Sequence, residues 1–188
     1  MPAPRLIFLA GPNGAGKTTY YRTFLRASGL LFVNADELTR TLGVPNAEAA
    51  KFADVTRGAL VSNEESFVTE TVFSDPVGAK LDFLRQAMTA GYEVQLHFIG
   101  ISGADLSEAR VLQRVAQGGH DVPSDRLERR FHQSLQNLAQ ALTFVPDVRV
   151  FDNSNIAHPF RLLLRAERGQ ITFQVDPLPT WLCAVIAA

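Results

Sequence analysis

Residues 11–18 read Gly-Pro-Asn-Gly-Ala-Gly-Lys-Thr and follow directly on an apolar run, Leu6 to Ala10. The pattern G-x-x-x-x-G-K-[ST] needs a strand to deliver the chain and a helix to receive it, because its glycines turn backbone N–H groups around an anion at the helix start. The apolar run supplies the strand, and Lys17 to Ala27 supplies the helix. Glycine permits the left-handed turns that such a loop requires. The helix N-terminus adds the positive end of its dipole. Gly11, Pro12, Asn13, Gly14, Ala15, Gly16, Lys17, Thr18 and Thr19 are therefore candidate nucleotide-binding residues. Lys17 can reach the β- and γ-phosphates of ATP, and the Thr18 hydroxyl can ligate Mg²⁺. Lysine occurs only at positions 17, 51 and 80, which makes its place here less likely to be incidental filler.

The rest of the chain alternates strand-length apolar runs with helix-length segments. Strands are expected at Leu6–Ala10, Leu31–Val33, Ser66–Thr69, Tyr92–Ile101 and Val148–Phe151. Helices are expected at Ala47–Val61, Pro76–Ala90, Ala104–Gln117 and Asp125–Phe144. Leu127, Phe131, Leu135, Leu138 and Leu142 form one apolar stripe in the last of these, with Ser124 as a candidate N-cap. Phe160–Glu167 and Gln170–Val175 read as a hairpin joined at Arg168-Gly169, and the tail from Trp181 as a terminal helix. This order predicts an α/β fold: a P-loop NTPase or kinase-like three-layer sandwich. Its sheet is mostly parallel, with helices on both faces and an antiparallel C-terminal hairpin at the edge. At 188 residues, one domain over 1–188 is expected, with a lid at about 114–130.

A net charge of −1 and the absence of a Lys/Arg run argue against bulk DNA or RNA as a partner. The lone cysteine, Cys183, excludes an internal disulfide and suits a reducing compartment. No secretory cleavage pattern is present, and the apolar run from Trp181 to Ala188 is too short to cross a bilayer. A cytoplasmic protein without a membrane partner is expected.

The guanine-reading N-K-x-D and the L-S-G-G-Q signature are both absent, and Asp75-Pro-Val-Gly78 is a weak match to D-x-x-G. Small kinases remain. Besides the loop they need a carboxylate for the acceptor hydroxyl, arginines for the moving phosphoryl group and a cover against water. Asp36, in Asn34-Ala-Asp36 after the second strand, is the candidate carboxylate; the alternative on spacing alone is that it merely caps a helix from Glu37 to Leu42. Glu70 and Thr71 end the third strand and can grip substrate hydroxyls, or simply form a polar turn. Arg110, Arg114, Arg126, Arg129 and Arg130 bracket Gly118-Gly119-His120-Asp121-Val122-Pro123, a hinged loop between helices. Arginine's planar fork suits phosphate, although a solvated basic face gives the same pattern. His120 is a candidate substrate contact. Asp152 and Asn153 follow the last core strand, where the adenine of ATP often lies in P-loop kinases; Asp152 serves equally as the cap of a turn.

Together these motifs resemble the zeta-toxin family of P-loop kinases. The resemblance spans about residues 5–155 and rests on GPNGAGKTT, NAD (Asn34–Asp36), TET (Thr69–Thr71), RVAQGGHDVPSDRLERRF (Arg114–Phe131) with Ser134 and Asn137 beyond it, and FDNS (Phe151–Ser154). It implies that Lys17 and Thr18 hold phosphates and Mg²⁺, and that Asp36 is the base for the acceptor hydroxyl. It implies that Glu70 and Thr71 hold a substrate sugar. Arg114 and one of Arg126, Arg129 or Arg130 would stabilise the transferred phosphate; Arg130 is taken here for that role. It further implies UDP-N-acetylglucosamine as acceptor and an antitoxin protein as partner. Two departures stand out: the family commonly carries an acidic residue where this chain has Asn34, and the chain is short beside the plasmid-borne toxins. Two alternatives stay open: an ATP-binding regulatory module without kinase activity, and a kinase acting on nucleic-acid ends.

Overall fold

The computed structural model describes residues 2–116 and 123–187. Its strands are β1 (Arg5–Ala10), β2 (Leu31–Val33), β3 (Phe67–Thr71), β4 (Glu93–Gly100), β5 (Asp147–Asp152), β6 (Arg161–Glu167) and β7 (Gln170–Gln174). Its helices are α1 (Lys17–Tyr20), α2 (Ala35–Leu42), α3 (Asn46–Ser62), α4 (Ala79–Thr89), α5 (Ala104–Ala116), α6 (Ser124–Leu142) and α7 (Thr180–Ile186). The sheet runs β2-β3-β1-β4-β5-β6-β7; β1 to β5 are parallel, and β6 and β7 join as an antiparallel hairpin. Arg168 and Gly169 both adopt left-handed φ, as a two-residue hairpin turn requires.

The two layers of core are visible in β1 itself. Leu6, Phe8 and Ala10 pack with side chains of α3, α4, α6 and α7. Ile7 and Leu9 face the other way and pack with Tyr20 and Leu25. This two-residue alternation of a strand buried on both faces is why the run contains no polar residue after Arg5. The central position of β1, between β3 and β4, puts the glycine loop at the point where the order of connection reverses. Ligands collect at the strand C-termini there.

Three local expectations are corrected. The helix from Lys17 is not continuous: Tyr21–Leu25 is wound as a π-helix and Arg26–Ser28 as a 3₁₀ turn. Tyr21 stacks on Phe32 at 3.6 Å, while the Tyr20 hydroxyl reaches His97 Nδ1 at 3.1 Å. Ser124 is not an N-cap. Pro123 holds that place, and the Ser124 hydroxyl instead donates to Glu108. The fourth helix begins at Ala79 rather than Pro76, because Gly78 in the left-handed region supplies its N-cap.

His97 is buried on β4, and burial, followed by the nearby Arg149 cation, lowers its pKa from 6.5 to about 4. Between those two values the unfolded chain binds the proton and the folded chain does not, so stability rises with pH across this window and is lost on acidification. Moving from pH 7 to pH 5 is expected to cost the wild type about 2 kcal/mol more than His97→Gln, whose side chain does not titrate. Denaturant unfolding at the two pH values measures this; equal losses in both proteins would refute it.

Candidate active site

The loop after β1 is built so tightly that no side chain fits at Gly11 or Gly16. A Cβ on Gly11, whose φ is 142°, would lie 2.1 Å from the Ile99 carbonyl oxygen. Gly16 caps α1 in the left-handed region at φ 89°, and a Cβ there would lie 2.6 Å from Asn153 Nδ2. Other elements brace the loop from outside. Ser107 Oγ donates to the Asn13 carbonyl at 2.8 Å, Arg110 donates to the Gly14 carbonyl at 3.3 Å, and Asn153 Nδ2 donates to the Ala15 carbonyl at 2.8 Å. Asn153 thus holds the loop itself, a contact that the sequence reading did not foresee. Arg110 likewise spends donors on loop carbonyls of Gly14 and Ser154.

Lys17 is only 6% exposed. Its ammonium donates to the carbonyls of Gly11 at 2.9 Å and Pro12 at 3.0 Å. Burial lowers its pKa, and the neighbouring Glu70 and Asp36 carboxylates oppose that shift. Thr18 Oγ1 donates to Glu70 Oε2 at 2.9 Å, and Asn34 Nδ2 donates to the same oxygen at 2.9 Å. Burial pushes the Glu70 carboxyl up in pKa, against the pull of Lys17 and the Thr18 hydrogen bond. The carboxylate of Glu70, the residue to which the resemblance assigns a substrate sugar, lies against Thr18 and lines the cleft.

Asp36 occupies the first turn of α2 and is not its cap. Asn34 is: its Oδ1 accepts from the Asp36 backbone N–H at 2.8 Å. The Asp36 carboxylate is therefore left for other work. Its side chain is 72% exposed, and Arg114 of α5 comes within 4.0 Å of it.

Lys17, Thr18, Thr19, Asp36, Glu70, Thr71, Arg114, Arg126, Arg129 and Arg130 all line one cleft of about 910 Å³, together with Asn13, Gly14 and Gly16. Asn153 is not among its lining residues. His120 lies outside the described residues, as does the Gly118-Gly119 pair. Sequence reasoning missed Arg57 and Lys80, which line the same cleft. Arg57, 5% exposed, donates to Thr69 Oγ1 at 3.1 Å and pairs with Asp54, as does the Lys80 ammonium at 2.6 Å. Spacing along α3 could not show a buried arginine, although the buried Thr69 hydroxyl in mid-strand was a hint that a polar partner was needed.

A buried lysine at the head of α1, facing arginines that arrive from two later helices, is the architecture of the P-loop kinases, and this chain's fold and cleft are of that class. The zeta toxin family model matches residues 1–161, and the chain belongs to the zeta toxin family. An uncharacterized protein of Haemophilus influenzae is 26% identical over 133 residues, covering 68% of this chain and 92% of its own. Among solved structures, AvrRxo1-ORF1:-ORF2 with ATP is similar in fold at a TM-score of 0.71 and 19% identity, covering 90% of this chain and 60% of that one. This chain thus spans less than two thirds of the AvrRxo1 chain. The PezAT chromosomal toxin–antitoxin system of Streptococcus pneumoniae gives a TM-score of 0.62 at 20% identity, covering 81% of this chain and 68% of that one. No helix among the described residues is long and apolar enough to cross a membrane.

Proposed function

We propose that this chain transfers the γ-phosphate of ATP to a hydroxyl of an anionic, sugar-bearing acceptor, with UDP-N-acetylglucosamine as the leading candidate. The reading rests on one observation: Lys17, Thr18, Asp36 and six arginines share a single cleft. Asp36 takes the proton of the acceptor hydroxyl as that oxygen attacks the γ-phosphorus. The bond to the β,γ-bridging oxygen breaks, and ADP leaves with its electron pair. Lys17 and the arginines Arg114 and Arg130 neutralise charge on the phosphoryl oxygens. The donor set fits Mg²⁺: the Thr18 hydroxyl would hold the ion, with Glu70 behind it, and the ion supplies charge neutralisation on the β- and γ-phosphates.

Charge supports an anionic acceptor. Eight cationic side chains and three carboxylates line the described part of the cleft, in a chain of net charge −1. Mg·ATP carries roughly two negative charges and leaves positive potential for a second anion. A nucleotide sugar meets that need with its diphosphate. A protein antitoxin is the partner suggested by family membership and by the likeness to a toxin–antitoxin system. A cytoplasmic site of action accords with a single exposed thiol and a need for ATP.

The test is incubation with Mg·ATP and a panel of nucleotide sugars, followed by mass spectrometry of the products. A monophosphorylated acceptor that disappears with Asp36→Asn is expected. Tight nucleotide binding without any product would instead mark a regulatory module, and salt-sensitive binding of oligonucleotides would point to nucleic-acid ends.

A further inference from the structure

α6 carries a second row of side chains beside its apolar stripe. Arg126, Arg130, Gln133 and Asn137 follow one another at steps of four, three and four, and so lie along one face. The first three line the cleft. Asn137 lies deeper, at 1% exposure, yet it is fully engaged. Its Nδ2 donates to the Phe73 carbonyl at 2.9 Å and to the Asp75 carbonyl at 3.2 Å, and its Oδ1 accepts from Gln133 Nε2 at 3.2 Å.

The two carbonyls belong to the segment between β3 and α4, and residues 71–76 line the cleft. That segment is held in a costly shape. Phe73 has φ 63°, a region that residues other than glycine seldom adopt, and its ring is fully buried against Phe8 at 5.5 Å. A buried backbone carbonyl needs a donor, and Phe73 lies in neither a strand nor a helix that would supply one within the element. The Asn137 amide does so, from the helix that also presents the arginines.

We propose that Asn137 is a positioning residue that ties the wall formed by residues 72–76 to the arginine face of α6, so that engagement of nucleotide by the arginines steadies the acceptor side of the cleft. The second half of this statement rests on the kinase reading above; the tie itself does not. Gln133 belongs to the same device, since it bridges from the cleft surface to the buried amide.

Hydrogen exchange by mass spectrometry, read on peptides covering residues 72–78, tests it with Mg·AMP-PNP as the probe. In the wild type, the probe is expected to slow exchange there several-fold. In Asn137→Ala, exchange without probe is expected to be about tenfold faster, and the probe's effect there to vanish while its Kd stays within about threefold of wild type. Gln133→Ala, at a partly exposed position, is the milder variant and is expected to weaken the probe's effect without unfolding risk. Asn137→Ser, which keeps a donor, is expected to recover part of the slowing. Unchanged exchange at 72–78 in both alanine variants would overturn the proposal, and so would a probe effect that persists in Asn137→Ala. If the wild type does not bind Mg·AMP-PNP, the kinase reading fails, and the probe-free comparison still decides whether the tie exists.

Discussion

Exchanging Asp36 for asparagine is expected to lower kcat for acceptor phosphorylation at least about a hundredfold while changing the affinity for Mg·ATP less than about threefold. Asparagine keeps the shape of the side chain and removes its basicity. The fold has little stake in the carboxylate, whose side chain is 72% exposed. The helix-start hydrogen bond at this position comes from the Asp36 backbone N–H to Asn34, and any residue can provide it. Surface changes of this kind usually alter stability by less than about 0.5 kcal/mol. Single-turnover phosphorylation, paired with fluorescent-nucleotide binding, separates the two quantities. A variant with undiminished turnover would remove Asp36 from the chemistry.

Lys17→Met is expected to reduce kcat/KM about a thousandfold or more, a loss of about 4 kcal/mol in transition-state stabilisation, without lowering the melting temperature. The two parts of that result have one cause. Lys17 is buried, and its burial disfavours the charged form. Methionine has similar volume and no charge to desolvate, and that gain offsets the loss of the hydrogen bonds to the Gly11 and Pro12 carbonyls. Glu70 then loses its cationic neighbour and takes up a proton more readily, since burial already raises its pKa. Thermal unfolding and a coupled ADP assay suffice. Loss of activity accompanied by a collapse in melting temperature would mean that Lys17 mainly holds the loop together through the Gly11 and Pro12 carbonyls.

The sequence was most readable where local chemistry and global placement agree. The glycine loop needed a strand and a helix on its two sides, and β1 and α1 are there. The hairpin at Arg168-Gly169 was visible for the same reason: two apolar runs met at a residue pair able to turn. Windings such as the π-helix at Tyr21–Leu25 were not visible, because they answer to Phe32 and His97, which are distant in sequence. The site divides in the same way. Lys17, Asp36, Glu70 and the arginines lie within recognisable strings, and the structure draws them to one cleft. The partners of those groups could not be read. That Glu70 meets Thr18 depends on the register of β3 beside β1, and that Arg57 reaches Thr69 depends on how α3 crosses the sheet. Asn153 stood next to the expected nucleotide region, but only the fold shows its amide committed to Ala15.

Asn34 commits both ends of its amide in different directions, the oxygen to the start of α2 and the nitrogen to Glu70. An aspartate in its place would set two acids about 3 Å apart, and such a couple must share a proton or lean on a divalent ion to stay intact. The neutral spacer removes that obligation. The acid behind Thr18 therefore meets a hydrogen-bond donor where a second carboxylate would repel it, and the ground beside the Thr18 hydroxyl carries one negative charge fewer.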